Sequence, residues 1–157
     1  MTRVFTLLAL LLIAPLAMAD YSLYVLRHAH KQADGTSDPA LSEAGQAQAE
    51  RLATLLHQAG IQRIYSTDYR RTRETVLPLS QQLGVDIRQY DPRRLDVLAM
   101  ELRQLQKNVV VVGHSNTTPE LVKLLGGEAE AMSESDYGDV YQLNVSGDNV
   151  LTVRLSL

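Results

Sequence analysis

The sequence predicts an α/β domain of three layers, α/β/α, with a mostly parallel central sheet and antiparallel edge strands. Three observations carry that expectation. Short apolar runs alternate with segments of helical period from residue 20 onward. The run Val109-Val110-Val111-Val112 is continuous and β-branched, as expected where both faces of a parallel sheet are covered. The last segment reads as two strands joined through Ser146-Gly147-Asp148-Asn149, a plausible hairpin that adds antiparallel pairing.

In chain order, residues 21–26 (YSLYVL) form the first expected strand. A helix is expected from Ser42 to about Ala59, with Ala44, Ala47, Leu52, Leu55 and Leu56 near helical spacing and Gly60 as its stop. Residues 62–65 are a short strand. Residues 69–83 are a helix with Thr72, Val76, Leu79 and Leu83 on one stripe, Pro78 inside it and Gly84 ending it. Thr67 and Asp68 are expected to cap that helix. Residues 85–90 alternate like a strand, and Leu95, Leu98, Leu102 and Leu105 mark a helix over 95–105. Residues 108–113 are the most strand-like stretch and are expected to be central. Thr118-Pro119-Glu120 supplies an N-cap, a first-position proline and a first-turn acid, so a helix runs from there to Gly126-Gly127. Residues 140–145 and 150–155 make the hairpin.

Residues 1–19 read as a secretory signal peptide: a basic start at Arg3, an apolar core over 4–14 and Ala17-Met18-Ala19 before Asp20. Pro15 and Asp20 leave the run short of the roughly 18 apolar residues a membrane span needs. Cleavage would leave one domain, 20–157, with no stable membrane span, in the periplasm or outside the cell. Removing Arg3 with the leader takes the formal charge from −3 to one unit lower. That acidity argues against nucleic-acid binding, which needs cations spread along a face. With no cysteine, the chain has neither a disulfide nor a thiolate metal site.

The chemistry-bearing residues gather at strand ends. His28 follows the first strand and His114 follows the strongest one, so a parallel sheet would bring both imidazoles to its carboxyl edge, where such sheets bind ligands. Arg27 is adjacent to His28. Arg71 lies in the first turn of its helix on the side nearer Ser66, where its guanidinium can grip two oxygens in a fork. Arg70 is set to pair with Glu74 four residues on, and Arg73 to face water. Gly113 lets backbone approach a ligand, and the helix start at Ser115-Asn116-Thr117 favours an anion, with Ser115 a binding candidate. Two imidazoles and two guanidiniums around one point suit a phosphoryl group. The spacing His28-x-His30 also opens the metal site of certain barrel hydrolases, but those barrels need about 250 residues. No metal and no cofactor is therefore expected. His57 reads as surface or packing.

These residues fall into an order that resembles the histidine phosphatase superfamily, also called the phosphoglycerate-mutase-like family. Its Arg-His-Gly opening appears as Arg27-His28-Ala29, and its Leu-Thr/Ser-x-x-Gly helix start as Leu41-Ser42-Glu43-Ala44-Gly45. Its Ser-x-x-x-Arg-Ala-x-x-Thr element appears as Thr67-Asp68-Tyr69-Arg70-Arg71-Thr72-Arg73-Glu74-Thr75, and its Gly-His as Gly113-His114. The resemblance spans essentially all of 20–157. It implies a phosphoenzyme formed on His28, with Arg27, Arg71 and His114 neutralising the phosphoryl oxygens and no metal required.

Three departures stand out. Ala29 replaces the usual glycine and is expected to narrow the pocket, while His30 is an extra polar group available to the phosphate or leaving group. The family's acidic segment after the third strand is not recognisable. Asp91 is the best-placed proton donor, with Asp96 and Glu120 as weaker alternatives. Brief connections predict an open pocket, resembling the compact phosphohistidine phosphatases and the exported heptose phosphatases of the superfamily more than its glycolytic mutases. The expected activity is an exported phosphatase acting on a small phosphorylated substrate, either an envelope sugar phosphate or a phosphoprotein. The alternatives are a phosphomutase and a phosphate-binding protein that has lost turnover. Lys31, Gln32, Asp34, Arg93 and Arg94 are candidate rim residues.

Overall fold

The computed structural model describes residues 20–157; the signal-peptide reading of residues 1–19 lies outside them. In chain order the elements are β1 (Tyr21–Arg27), α1 (Glu43–Leu56), β2 (Arg63–Ser66), α2 (Arg70–Leu83), β3 (Ile87–Gln89), α3 (Leu95–Leu105), β4 (Val109–Gly113), α4 (Thr117–Leu124), β5 (Asp139–Ser146) and β6 (Asn149–Ser156). The strands form one sheet of order β3-β2-β4-β1-β5-β6, parallel from β3 to β1 and antiparallel at β5 and β6. Antiparallel pairing is thus confined to one edge; the β3 edge is parallel, because each strand on that side returns through a helix.

The continuous apolar runs are explained by two covered faces. Leu23 and Val25 of β1 and Val109 and Val111 of β4 pack with Leu98, Leu102, Leu121 and Val122 of α3 and α4. Tyr24, Leu26, Val110 and Val112 point the other way, onto Leu52, Leu56, Val76 and Leu79 of α1 and α2. All four valines of β4 are fully buried, each contributing roughly 1.5–3 kcal/mol of hydrophobic stabilisation. The result is three layers.

Helix starts differ from the sequence expectation in two places. Thr67 and Asp68 do not cap α2: Asp38, from the loop after β1, accepts the Arg70 N–H at 2.9 Å, while Asp68 pairs with the side chain of Arg73. A carboxylate from a distant loop thereby does the work expected of a local residue. At α4 the helix begins one residue early, at Thr117, whose Oγ1 accepts the His114 N–H at 2.9 Å. Ser42 caps α1 as expected, accepting from the Gly45 N–H at 3.2 Å.

That α1 start also builds the loop after β1. The Ser42 N–H and hydroxyl both donate to the His30 carbonyl, and the Gln48 side chain accepts the His30 N–H. Gly45 packs directly on the same peptide, where a Cβ would overlap the His30 carbonyl oxygen. No helix among the described residues is long and apolar enough to cross a membrane.

Candidate active site

Strand register assembles the site. β1 and β4 run in parallel with Arg27 opposite Gly113 and the His28 N–H bonded to the Gly113 carbonyl at 3.0 Å, so the next residue of each strand is a histidine at the same level. The His28 and His114 ring centroids lie 5.6 Å apart at an interplanar angle of 68°. Gly113 is needed between them: a Cβ there would stand 2.7 Å from Thr117 Oγ1 and 2.8 Å from the Tyr90 hydroxyl.

His28 is 3% exposed. Its Nδ1 sits 2.8 Å from the Ala29 carbonyl oxygen, which can only accept, so the proton belongs on Nδ1 and Nε2 keeps its lone pair. Burial, reinforced by Arg27, Arg71 and His114, lowers its pKa to about 3. The ring is neutral and held in one orientation, with its Nε2 lone pair unshared. His114 is lowered to about 4, by burial first and then by Arg71 and Arg27. Its Nε2 is 3.0 Å from Thr67 Oγ1. The Thr72 hydroxyl donates to the Tyr69 carbonyl and the Thr67 hydroxyl to Thr72, which leaves the Thr67 oxygen to accept from His114 Nε2–H.

The two arginines are held differently. Arg27, 3% exposed, gives Nη1 to the carbonyls of Ser133 and Asp136 and Nη2 to Glu134 and the Tyr137 hydroxyl, and its guanidinium lies 4.1 Å over the Tyr137 ring. Arg71 has one loose contact, 3.5 Å to Asp38, and lies 4.4 Å over the Tyr69 ring. Each retains a buried Nε–H without a protein acceptor. Leaving such a donor unpaired costs about 1–3 kcal/mol, which an oxyanion would offset.

Arg27, His28, Arg71, His114 and Ser115 line one cavity of about 380 Å³, together with Lys31, Tyr69, Pro92, Arg93 and Glu134 among others. The cavity is cationic in an acidic chain. A cavity of the same volume at the opposite end of the sheet, beside Tyr21 and Val145, contains no histidine, and its one cation, Arg103, is bonded to the Leu124 carbonyl. Among the described residues no three His, Asp or Glu side chains are grouped so as to hold a metal ion.

Several expected placements are not met. Asp91 lies outside the histidine cavity, in a neighbouring groove with Gln89 and Tyr90, and both its oxygens are bonded to Arg93 at 3.0 Å. Those bonds lower its pKa, so it is held ionised with no proton to give. Asp96 faces Arg94 on α3, and Glu120 is exposed on α4; neither lines the cavity. Ala29 does not narrow the pocket: its methyl is buried against Leu41 and Ala49. His30 stacks on Tyr137, 3.9 Å between centroids. Of the rim candidates, Lys31 and Arg93 line the cavity, whereas Gln32, Asp34 and Arg94 do not. His57 is exposed, as expected.

The main residue absent from the sequence reading is Glu134. Its Oε2 is 3.1 Å from Arg27 Nη2 and its Oε1 is 2.6 Å from Ser115 Oγ. Through Glu134 and Tyr137 the connection between α4 and β5 forms one side of the site. The signal available was a polar run, Ser133-Glu134-Ser135-Asp136-Tyr137, just before the hairpin. Glu74 was also under-read: besides its 2.7 Å pairing with Arg70, it accepts the Leu41 N–H and so anchors the loop after β1.

The model of the histidine phosphatase superfamily (branch 1) matches residues 23–93, which hold the Arg27-His28 and Arg71 motifs. Over that stretch, a little under half of the chain, the sequence is similar to the histidine phosphatase superfamily. Among curated relatives, the probable phosphoglycerate mutase GpmB of Shigella dysenteriae serotype 1 (strain Sd197) is 32% identical over 103 residues, 62% of this chain and 44% of that protein. The corresponding protein of Escherichia coli K12 (DH10B) is 31% identical over the same share. The chain spans less than half the length of these relatives. Among solved structures, the protein histidine phosphatase SixA complexed with tungstate superposes with a TM-score of 0.72 at 16% identity, over 86% of this chain and 96% of that one. The putative phosphohistidine phosphatase SixA from Agrobacterium tumefaciens gives 0.65 at 25% identity, over 87% and 97%.

Proposed function

We propose that the protein is a metal-independent phosphatase that hydrolyses phosphomonoesters or phosphohistidine through a phosphohistidine intermediate on His28. The observation that carries this reading is the convergence in one cavity of a neutral His28 with a free Nε2, His114 at 5.6 Å, the buried guanidinium of Arg27 and the half-buried one of Arg71. His28 Nε2 attacks phosphorus, and Arg27 and Arg71 balance the charge that spreads over the equatorial oxygens, joined by His114, neutral before substrate binds, once the arriving anion draws a proton onto its Nδ1. Water then attacks from the side the leaving group has vacated. The likeness over nearly the full length of the putative phosphohistidine phosphatase from Agrobacterium tumefaciens supports phosphohistidine as one substrate class. The substrate is a small phosphorylated molecule or a phosphoprotein, and the leader-like residues 1–19 support action in the periplasm or outside the cell.

The test is turnover of a chromogenic phosphate ester in the presence of a chelator. Activity is expected to survive chelation and to vanish in His28→Ala, and acid-labile phosphate should be trapped on the wild-type chain. Loss on chelation, or full activity without His28, overturns the reading. The relatives' name favours a mutase as the second reading. Isomerised sugar-acid phosphate in place of free phosphate would select it. Bound phosphate without turnover of any ester would select a binding protein.

A further inference from the structure

Resting on that reading, we propose that Glu134 is the proton donor to the leaving group and the base that activates water in the second step. It is the only carboxylate among the residues that line the histidine cavity. The other acids near the site are held by donors outside the cavity, Asp38 touching Arg71 only loosely, at 3.5 Å. Both oxygens of Asp91 hold Arg93, and both oxygens of Asp38 accept the Arg70 N–H at 2.9 and 3.2 Å, fixing Asp38 to the start of α2. Glu134 reaches in from the opposite side, on the segment that grips Arg27, and its side chain is 77% exposed, so it is free to shift by a rotamer change.

Its two partners are the reason it fits the role. In the ligand-free chain the carboxylate spans Arg27 Nη2 and Ser115 Oγ, two donors that a phosphoryl group would take. An arriving phosphoryl group displaces the carboxylate from both donors and leaves it beside the ester, at the mouth of the site. Proton affinity follows the same exchange. The Ser115 hydrogen bond first, then Arg27, Lys31 and His28, hold Glu134 below the usual carboxylate range. Of its loop neighbours, Asp136 is tied to Ser133 and the Tyr137 hydroxyl accepts from Arg27. When a phosphoryl anion takes over Ser115 and Arg27, the carboxylate loses both stabilising contacts and gains a negative neighbour, which raises its pKa.

The steps balance. The His28 Nε2 lone pair forms the N–P bond as the P–O bond to the leaving group breaks, and the departing oxygen takes the Glu134 proton. Water then bonds to phosphorus and returns a proton to Glu134, while the N–P bond gives its electron pair back to His28.

A leaving-group series tests the assignment with wild type, Glu134→Gln, Asp91→Asn and His28→Ala. On phenyl phosphate, whose leaving group needs a proton, Glu134→Gln is expected to lower kcat/KM, which reads phosphoenzyme formation alone, on the order of 10²-fold and to abolish the basic limb of its pH profile. On 4-nitrophenyl phosphate, whose leaving group departs as the anion, kcat/KM should stay within a few-fold of wild type, while kcat falls wherever water attack limits turnover. Asp91→Asn should resemble wild type on both. Equal losses of kcat/KM on the two esters would reduce Glu134 to a positioning role and overturn the proposal, as would no loss on either or a leaving-group-dependent loss in Asp91→Asn. Full activity of His28→Ala would instead overturn the underlying phosphatase reading, so the two failures are distinguishable. Glu134 is on the surface, and equal thermal melts of Glu134→Gln and wild type will show that folding is unaffected.

Discussion

Thr67 Oγ1 lies 3.0 Å from His114 Nε2 and is itself bonded to Thr72, so a short hydroxyl chain from α2 sets the tautomer and tilt of an imidazole carried by β4. Thr67 does not line the histidine cavity. Thr67→Val, close in shape and without the acceptor, is expected to lower kcat about 10-fold, at the low end of what a misplaced donor costs. Its KM should be nearly unchanged, and Thr67→Ser should restore the rate. Steady-state kinetics of the pair checks this.

Arg71 has the more available guanidinium. Its single protein acceptor is at 3.5 Å, whereas Arg27 is engaged by four acceptors of the α4–β5 connection. Arg71→Ala is expected to reduce kcat/KM on the order of 10²–10³-fold. Arg71→Lys should recover little of that, because an ammonium cannot grip two oxygens in a fork. Failure of Arg71→Ala to reduce the rate would remove Arg71 from the phosphoryl contacts.

Acid should destabilise the fold through its buried imidazoles. His28 titrates at about 3 in the folded chain against an ordinary 6.5, so between those values the unfolded state binds a proton the folded state refuses. Stability from this group is complete above pH 6.5 and falls as pH drops toward 3. At pH 5 the loss amounts to about 2 kcal/mol. His114 acts in the same direction. Urea melts at pH 7 and pH 5, compared with the same pair for His28→Asn, isolate the effect: the variant should lose less on acidification.

Two glycines are placed where any side chain collides. Gly113→Ala sets a methyl against Thr117 Oγ1 and the Tyr90 hydroxyl and should cost about 1–3 kcal/mol. It should also lower activity, since Thr117 Oγ1 holds the His114 N–H. Gly45→Ala overlaps a backbone carbonyl that cannot turn aside, and its cost should reach or exceed about 3 kcal/mol. Thermal denaturation of both variants tests the ranking.

The parts of the molecule legible in the sequence are those governed by local rules. The β-branched run at 109–112 announced a central strand because both faces of β4 are buried, and Gly113-His114 followed from it. Leu41, Ser42 and Gly45 announced a helix start that serves the loop after β1. What was not legible depends on contacts between distant segments. Asp38 caps α2 from 32 residues away, and Glu134 meets Arg27 across 107 residues. Neither position has a periodicity or a capping pattern of its own. Asp91 was attractive for its place after the third strand, but the arginine two residues on claims it locally.

The pairing of Arg27 with Gly113 ties catalytic assembly to core formation. A slip of one residue between β1 and β4 would turn Leu23 and Val25 onto the wrong layer and carry His28 away from His114 in the same movement. The chain therefore has no well-packed state in which its two imidazoles are separated. Recovery of activity on refolding should track burial of the valine strand step for step.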